Sequence, residues 1–155
     1  MTYLERIQLK ESPPADEVCR CSEQTAMHLR YEFTEFPLFC TDCTGQILPS
    51  ALRVTEDLAQ QILDWRTVYA ALYELWLDSS DYEAFARSAL LDPAGEVNGR
   101  GLALARKLSE QRATYYWWFS DDADSAPVQC PLCHAPMVEH ATRRFHFCDT
   151  CHISG

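Results

Sequence analysis

The chain has 155 residues, 47% of them hydrophobic and 23% charged, and a formal net charge of −10. That is enough apolar material for one packed domain, and no run of about 18 apolar residues reads as a membrane span. Strong acidity argues against a phosphate-backbone binder, whose affinity comes mainly from Lys and Arg, and favours a basic protein surface as partner.

The first residues, Met1-Thr2-Tyr3-Leu4-Glu5-Arg6, hold no apolar stretch of signal-peptide length, so a cytoplasmic location is expected. In a reducing compartment thiols stay free unless they hold a metal or do chemistry. The eight cysteines therefore read as metal ligands rather than as a framework of four disulfides.

In chain order, Tyr3 to Leu9 reads as a short strand, followed by a polar turn at Ser12-Pro13-Pro14. Met27, Leu29, Tyr31 and Phe33 alternate with His28, Arg30 and Glu32, the period of a half-buried strand that leaves His28 on the solvent side. Gly45, two residues past Cys43, is placed to take a positive φ in a metal turn. Thr55 caps a long helix whose apolar stripe is Leu58, Ile62, Trp65, Tyr69, Leu72 and Trp76. Ser80 and Glu83 form a capping box for a second helix, which runs to about Leu91 and is stopped by Asp92-Pro93. Asn98-Gly99 reads as a turn, and Leu102 to Arg112 as a third helix. Tyr115-Tyr116-Trp117-Trp118-Phe119 reads as a strand covered on both faces.

Cys130-Pro131-Leu132-Cys133 and Cys148-Asp149-Thr150-Cys151 are two CxxC pairs joined by a segment that can form a β-hairpin: Pro136 to His140, a turn at Ala141-Thr142, then Arg143 to Phe147. Facing CxxC turns give a tetrahedral set of soft sulfur ligands, which zinc accepts without redox chemistry. Cys19, Cys21, Cys40 and Cys43 form a second set, with the rarer CxC spacing in its first pair. A different pairing, with Cys40 and Cys43 joining a C-terminal pair, stays open at this point. Two structural Zn2+ ions are expected. Both sets look closed, whereas a catalytic zinc keeps an open position. His134, His140, His146 and His152 lie beside the metal turns or in the hairpin. No nucleophile–base set, phosphate loop or HExxH helix is present, so the chain does not read as an enzyme.

The expected fold is α+β and a single domain over residues 1–155. It has an N-terminal zinc element (15–50), an inserted helical segment (55–112), an aromatic strand (114–119) and a C-terminal zinc ribbon (128–153). Both metal elements are expected to be ribbons or knuckles with short antiparallel strands. Between Thr55 and Asp92 eight acidic residues face only Arg66 and Arg87. Asp121, Asp122 and Asp124 follow the aromatic run, so Trp117, Trp118 and these three acids are candidates for a partner-binding surface.

The pattern Thr114-Tyr115-Tyr116-Trp117-Trp118, Cys130-x-x-Cys133, Phe145-x-Phe147-Cys148-x-x-Cys151, with Pro37-x-x-Cys40-x-x-Cys43-x-Gly45, resembles bacterial zinc-ribbon-containing proteins of unknown function, described as possibly nucleic-acid-binding. The resemblance implies a fold and a metal more than an activity. Three functions follow. The first is a non-enzymatic acidic protein that docks on and inhibits a basic protein, such as an immunity protein blocking a nuclease toxin. The second is nucleic-acid binding through the ribbon, with Arg143, Arg144 and aromatic side chains, against which an isoelectric point near 4.8 weighs. The third, a metalloenzyme, fits two closed sites poorly.

Overall fold

The computed structural model describes residues 13–122, 125–139 and 145–155. The expected strand from Tyr3 to Leu9 and the turn at Ala141-Thr142 lie outside these residues. The described elements are β1 (Ala26–Leu29), β2 (Leu38–Cys40), a 3-10 turn (Pro49–Ala51), α1 (Glu56–Asp78), α2 (Glu83–Leu91), α3 (Glu96–Ser109), β3 (Ala113–Trp117), β4 (Val138–Glu139), β5 (His146–Cys148) and β6 (Ile153–Ser154).

The strands make one mixed six-stranded sheet in the order β2-β1-β3-β6-β5-β4. Its outer pairs are antiparallel, but β3 runs parallel to both β1 (Leu29 beside Tyr116) and β6 (Tyr116 beside Ile153). The expectation of short antiparallel strands therefore holds within each metal element and fails between them. The aromatic strand is the seam that joins the two.

α1 and α3 cover one face. The Thr55 hydroxyl caps α1 by accepting from the Leu58 N–H at 3.2 Å, and Glu56 and Asp57 occupy the favourable first turn. Trp65 of α1 is fully buried, donates its indole N–H to the Val97 carbonyl at 3.1 Å, and meets Tyr116 edge to face at 5.8 Å.

α2 begins later than a full Ser80 capping box requires. Glu83 accepts from the Ser80 N–H at 3.2 Å, but Ser80 is left-handed (φ 57°) and the Ser79 hydroxyl accepts from the Tyr82 N–H. Half of the box forms.

α3 corrects the sequence reading more substantially. It starts at Glu96, so Asn98-Gly99 lies inside it and no turn forms there. Asn98 is buried because it works for its neighbours. Its amide donates to the Leu90 and Asp92 carbonyls at the end of α2 (3.0 and 2.8 Å), and its oxygen accepts from the Tyr116 hydroxyl at 2.8 Å. Those tertiary bonds outweigh the local turn preference of Asn-Gly. Gly101 has a separate reason: a Cβ there would stand 2.2 Å from the Tyr116 ring. Its absence lets the helix axis settle onto β3.

The opposite face of the sheet carries a smaller aromatic cluster of Tyr115, Phe145 and Phe147. His28 is buried among these rings rather than solvent-exposed as its alternation predicts: it is 4.9 Å from Phe145 and 5.3 Å from Trp117, with its Nδ1 2.7 Å from the Ser154 hydroxyl. β1 is buried on both faces because α3 packs on one and the rings of Trp117, Phe145 and Phe147 cover His28 on the other, and the alternating pattern breaks at Phe33, a turn residue with φ 57° that is exposed.

Candidate metal centre

Two groups of four cysteines form. Cys19, Cys21, Cys40 and Cys43 make one, and Cys130, Cys133, Cys148 and Cys151 the other. All four sulfurs of each group lie within 4.8 Å of one another, which fixes the pairing left open by the sequence. The Cys21 and Cys40 sulfurs are 4.0 Å apart, and those of Cys133 and Cys148 3.7 Å. Sulfurs bound at ~2.3 Å around a tetrahedral ion stand about 3.8 Å apart, whereas disulfide sulfurs sit at about 2.05 Å. All eight cysteines are free thiols, and each group fits one metal ion.

Each cluster is shaped by tight turns. In Cys40–Gly45 the Cys40 N–H donates to the Gly45 carbonyl (2.8 Å) and the Thr44 N–H to the Cys40 carbonyl (3.0 Å). Cys130–Ala135 repeats both bonds, from Cys130 to Ala135 (2.9 Å) and from His134 to Cys130 (2.9 Å). In all three CxxC turns the residue after the second cysteine is left-handed: Thr44 (φ 60°), His134 (61°) and His152 (57°). The turn reverses there, so that later backbone N–H groups point at sulfur; the Gly45 N–H reaches the Cys43 sulfur at 3.4 Å.

Gly45 itself does not take a positive φ, contrary to the sequence reading. It is needed for close approach, since a Cβ there would lie 2.6 Å from the Cys19 backbone nitrogen. The Cys19-Arg20-Cys21 arm is no CxxC turn. It lies against the second turn, with the Cys19 N–H donating to the Gln46 carbonyl at 2.9 Å and Val18 bridged to Gln46.

The proton distribution is uneven. The Ala135 N–H brings the Cys133 thiol down to about 7. Burial and its cysteine neighbours push Cys151 up to about 12, while the Cys43 sulfur and then burial push Cys21 up to about 12. Burial raises Cys43, but the Gly45 N–H and its three cysteine neighbours outweigh it and leave the thiol lowered. Each cluster thus sets one lowered thiol, Cys43 or Cys133, beside raised ones, Cys21 and Cys40 or Cys148 and Cys151, and a divalent ion displaces the protons that the raised thiols hold.

No described histidine joins either group. His134 is exposed, and His152 is half-buried, tying its turn to the core through Ser109 Oγ (3.2 Å) and the Thr114 carbonyl (3.3 Å). The Tyr115 hydroxyl donates to Asp149 inside the last turn at 2.5 Å. The left-handed residues escaped the sequence reading, although their signal was present: each directly follows a CxxC.

The candidate partner-binding residues are dispersed. Trp118 is buried, and Trp117 is half-buried with the Arg30 guanidinium 4.0 Å above its ring. Asp121 is exposed and ion-paired with Arg87, Asp122 is exposed, and Asp124 lies outside the described residues. Among the described residues no helix is long and apolar enough to cross a membrane.

Fold and site define a mixed α/β protein with two four-cysteine clusters, each of which could hold a metal ion. Comparison of the chain with known protein families, curated proteins and solved structures finds no match.

Proposed function

We propose that this chain is a non-enzymatic zinc protein whose two ions are structural and whose acidic surface docks on a basic protein. The observation that carries the reading is the closure of both clusters: four thiols surround each metal position, which leaves no ligand place for substrate or water. The clusters also flank the central strand, where an ion staples the sheet rather than opening a cleft.

The charge supports a basic partner. Four thiolates around one divalent ion carry a net −2, so two loaded sites take the formal charge from −10 to about −14. The sharpest form of the proposal is an immunity protein covering the phosphate-attracting cleft of a nuclease toxin, because an acidic scaffold competes for the same cations that hold nucleic acid. The test offers the immobilised zinc-loaded chain a basic nuclease encoded beside it, and separately labelled DNA and RNA at several salt concentrations. Capture of the nuclease with loss of its activity is expected. Salt-sensitive capture of nucleic acid with no basic protein bound overturns the proposal in favour of a nucleic-acid-binding ribbon.

A further inference from the structure

The end of the α1–α2 hairpin leaves large apolar side chains in solvent. Leu77 is 55% exposed, Tyr82 60% and Phe85 63%. They crowd the last turn of α1, the connection and the first turn of α2. The apolar surface continues along α1 one turn back to Tyr73, whose ring meets Phe33, itself exposed, at 5.6 Å. Apolar side chains of this size concentrated at one end of a helical hairpin mark an interaction surface.

The charge around them names the occupant. Glu74, Asp78, Asp81 and Glu83 are all exposed, and no Lys, Arg or His occurs from Glu74 to Ala86. Arg87, the next residue, is engaged by Asp121 across the α2 edge. The acids at the end of α1 also work against the helix: its last turns carry no base, and the macrodipole disfavours carboxylates there. Glu83 has a folding role, bonding the Ser80 N–H, whereas Glu74, Asp78 and Asp81 make no ion pair among the described residues.

Resting on the docking reading above, we infer that this tip is the docking surface, and that it takes a basic amphipathic segment of a protein partner. Apolar side chains of the segment would seat on Leu77, Tyr82 and Phe85, and its Lys or Arg residues would meet the surrounding carboxylates. The interface therefore lies on the helical hairpin and uses neither the metal-ligating cysteines nor buried Trp118.

The probe is a fluorescent Lys/Leu amphipathic helical peptide, titrated into the full zinc-loaded chain at physiological salt. Three variants are compared with the unaltered protein: Tyr82→Ser/Phe85→Ser, Glu74→Gln/Asp78→Asn/Asp81→Asn, and a control, Asp16→Asn/Glu23→Gln/Glu110→Gln, that removes the same charge elsewhere. Loss of the apolar pair or of the tip acids should weaken binding by roughly tenfold or more, and the control by less than about threefold. Removing Glu74 and Asp78 relieves the helix dipole, so the tip-acid variant should melt no lower than the parent, which separates lost binding from lost fold. Equal losses in the tip and control variants, or no binding by the unaltered chain, overturn the inference. If the tip variants still bind the nuclease of the preceding test as the parent does, the surface is wrong while the docking reading stands.

Discussion

Single residues decide how closely the elements approach, and glycine shows it most clearly. Gly101 and Gly99 lie two positions apart in α3, yet a Cβ at 101 would collide with the Tyr116 ring while one at 99 meets nothing within 4 Å. Gly101→Ala should destabilise the protein by about 2 kcal/mol through overpacking, and Gly99→Ala should be neutral or stabilise it by up to about 1 kcal/mol. Chemical denaturation of the two variants checks this, and equal effects would contradict the packing assigned to α3. Asn98 predicts a third outcome. Asn98→Leu removes the partner of the Tyr116 hydroxyl and the Asn98 donor of the Leu90 carbonyl, and leaves the Asp92 carbonyl with the Gly95 N–H, so it should cost roughly 2–4 kcal/mol by the same measurement despite its apolar character. None of these roles was legible in sequence, because Asn-Gly carries a local turn signal and its tertiary partners lie on other elements. The cysteines were legible because metal chemistry restricts ligand type and spacing to a few patterns.

At the scale of elements, the local signals of α1 read correctly. The Thr55 cap and the apolar stripe of α1 needed no tertiary information. β1 misled because alternation assumes one wet face, and His28 faces Trp117, Phe145 and Phe147 instead. The central placement of β3 could not be read either: two metal elements far apart in sequence converge on it in parallel, and no local pattern encodes that pairing. This topology predicts long-range consequences of metal loss. Cys148 ends β5 and pairs with Ile153 of β6, which borders Tyr116 of β3. Cys148→Ser should therefore lose one metal equivalent and lower the stability of the whole sheet, by ~4 kcal/mol or more, or roughly 10 °C in Tm. Calorimetry together with metal analysis checks it. A variant that binds less metal yet melts at the parent temperature would remove the structural role.

For the whole molecule, charge and metal are linked. In the metal-free protein Cys21 and Cys151 keep their protons throughout the physiological range, because their thiols are raised to about 12, so zinc must displace protons to bind. Affinity should therefore rise with pH and fall on acidification. The fall steepens below about pH 7, where Cys133 also takes up a proton. Chelator competition at pH 6 and pH 8, corrected for the chelator's own protonation, should show affinity weaker at pH 6 by orders of magnitude, and equal affinities would contradict the thiolate assignment.

The central claim is that eight free thiols form two closed metal sites which hold the sheet together. Native mass spectrometry of the intact chain, followed through chelator addition with circular dichroism, tests it most directly. The account predicts two zinc ions per chain, no disulfides, and loss of folded structure as the zinc is withdrawn. A chain that carries fewer than two ions when saturated, or that keeps its fold after both are removed, would contradict it.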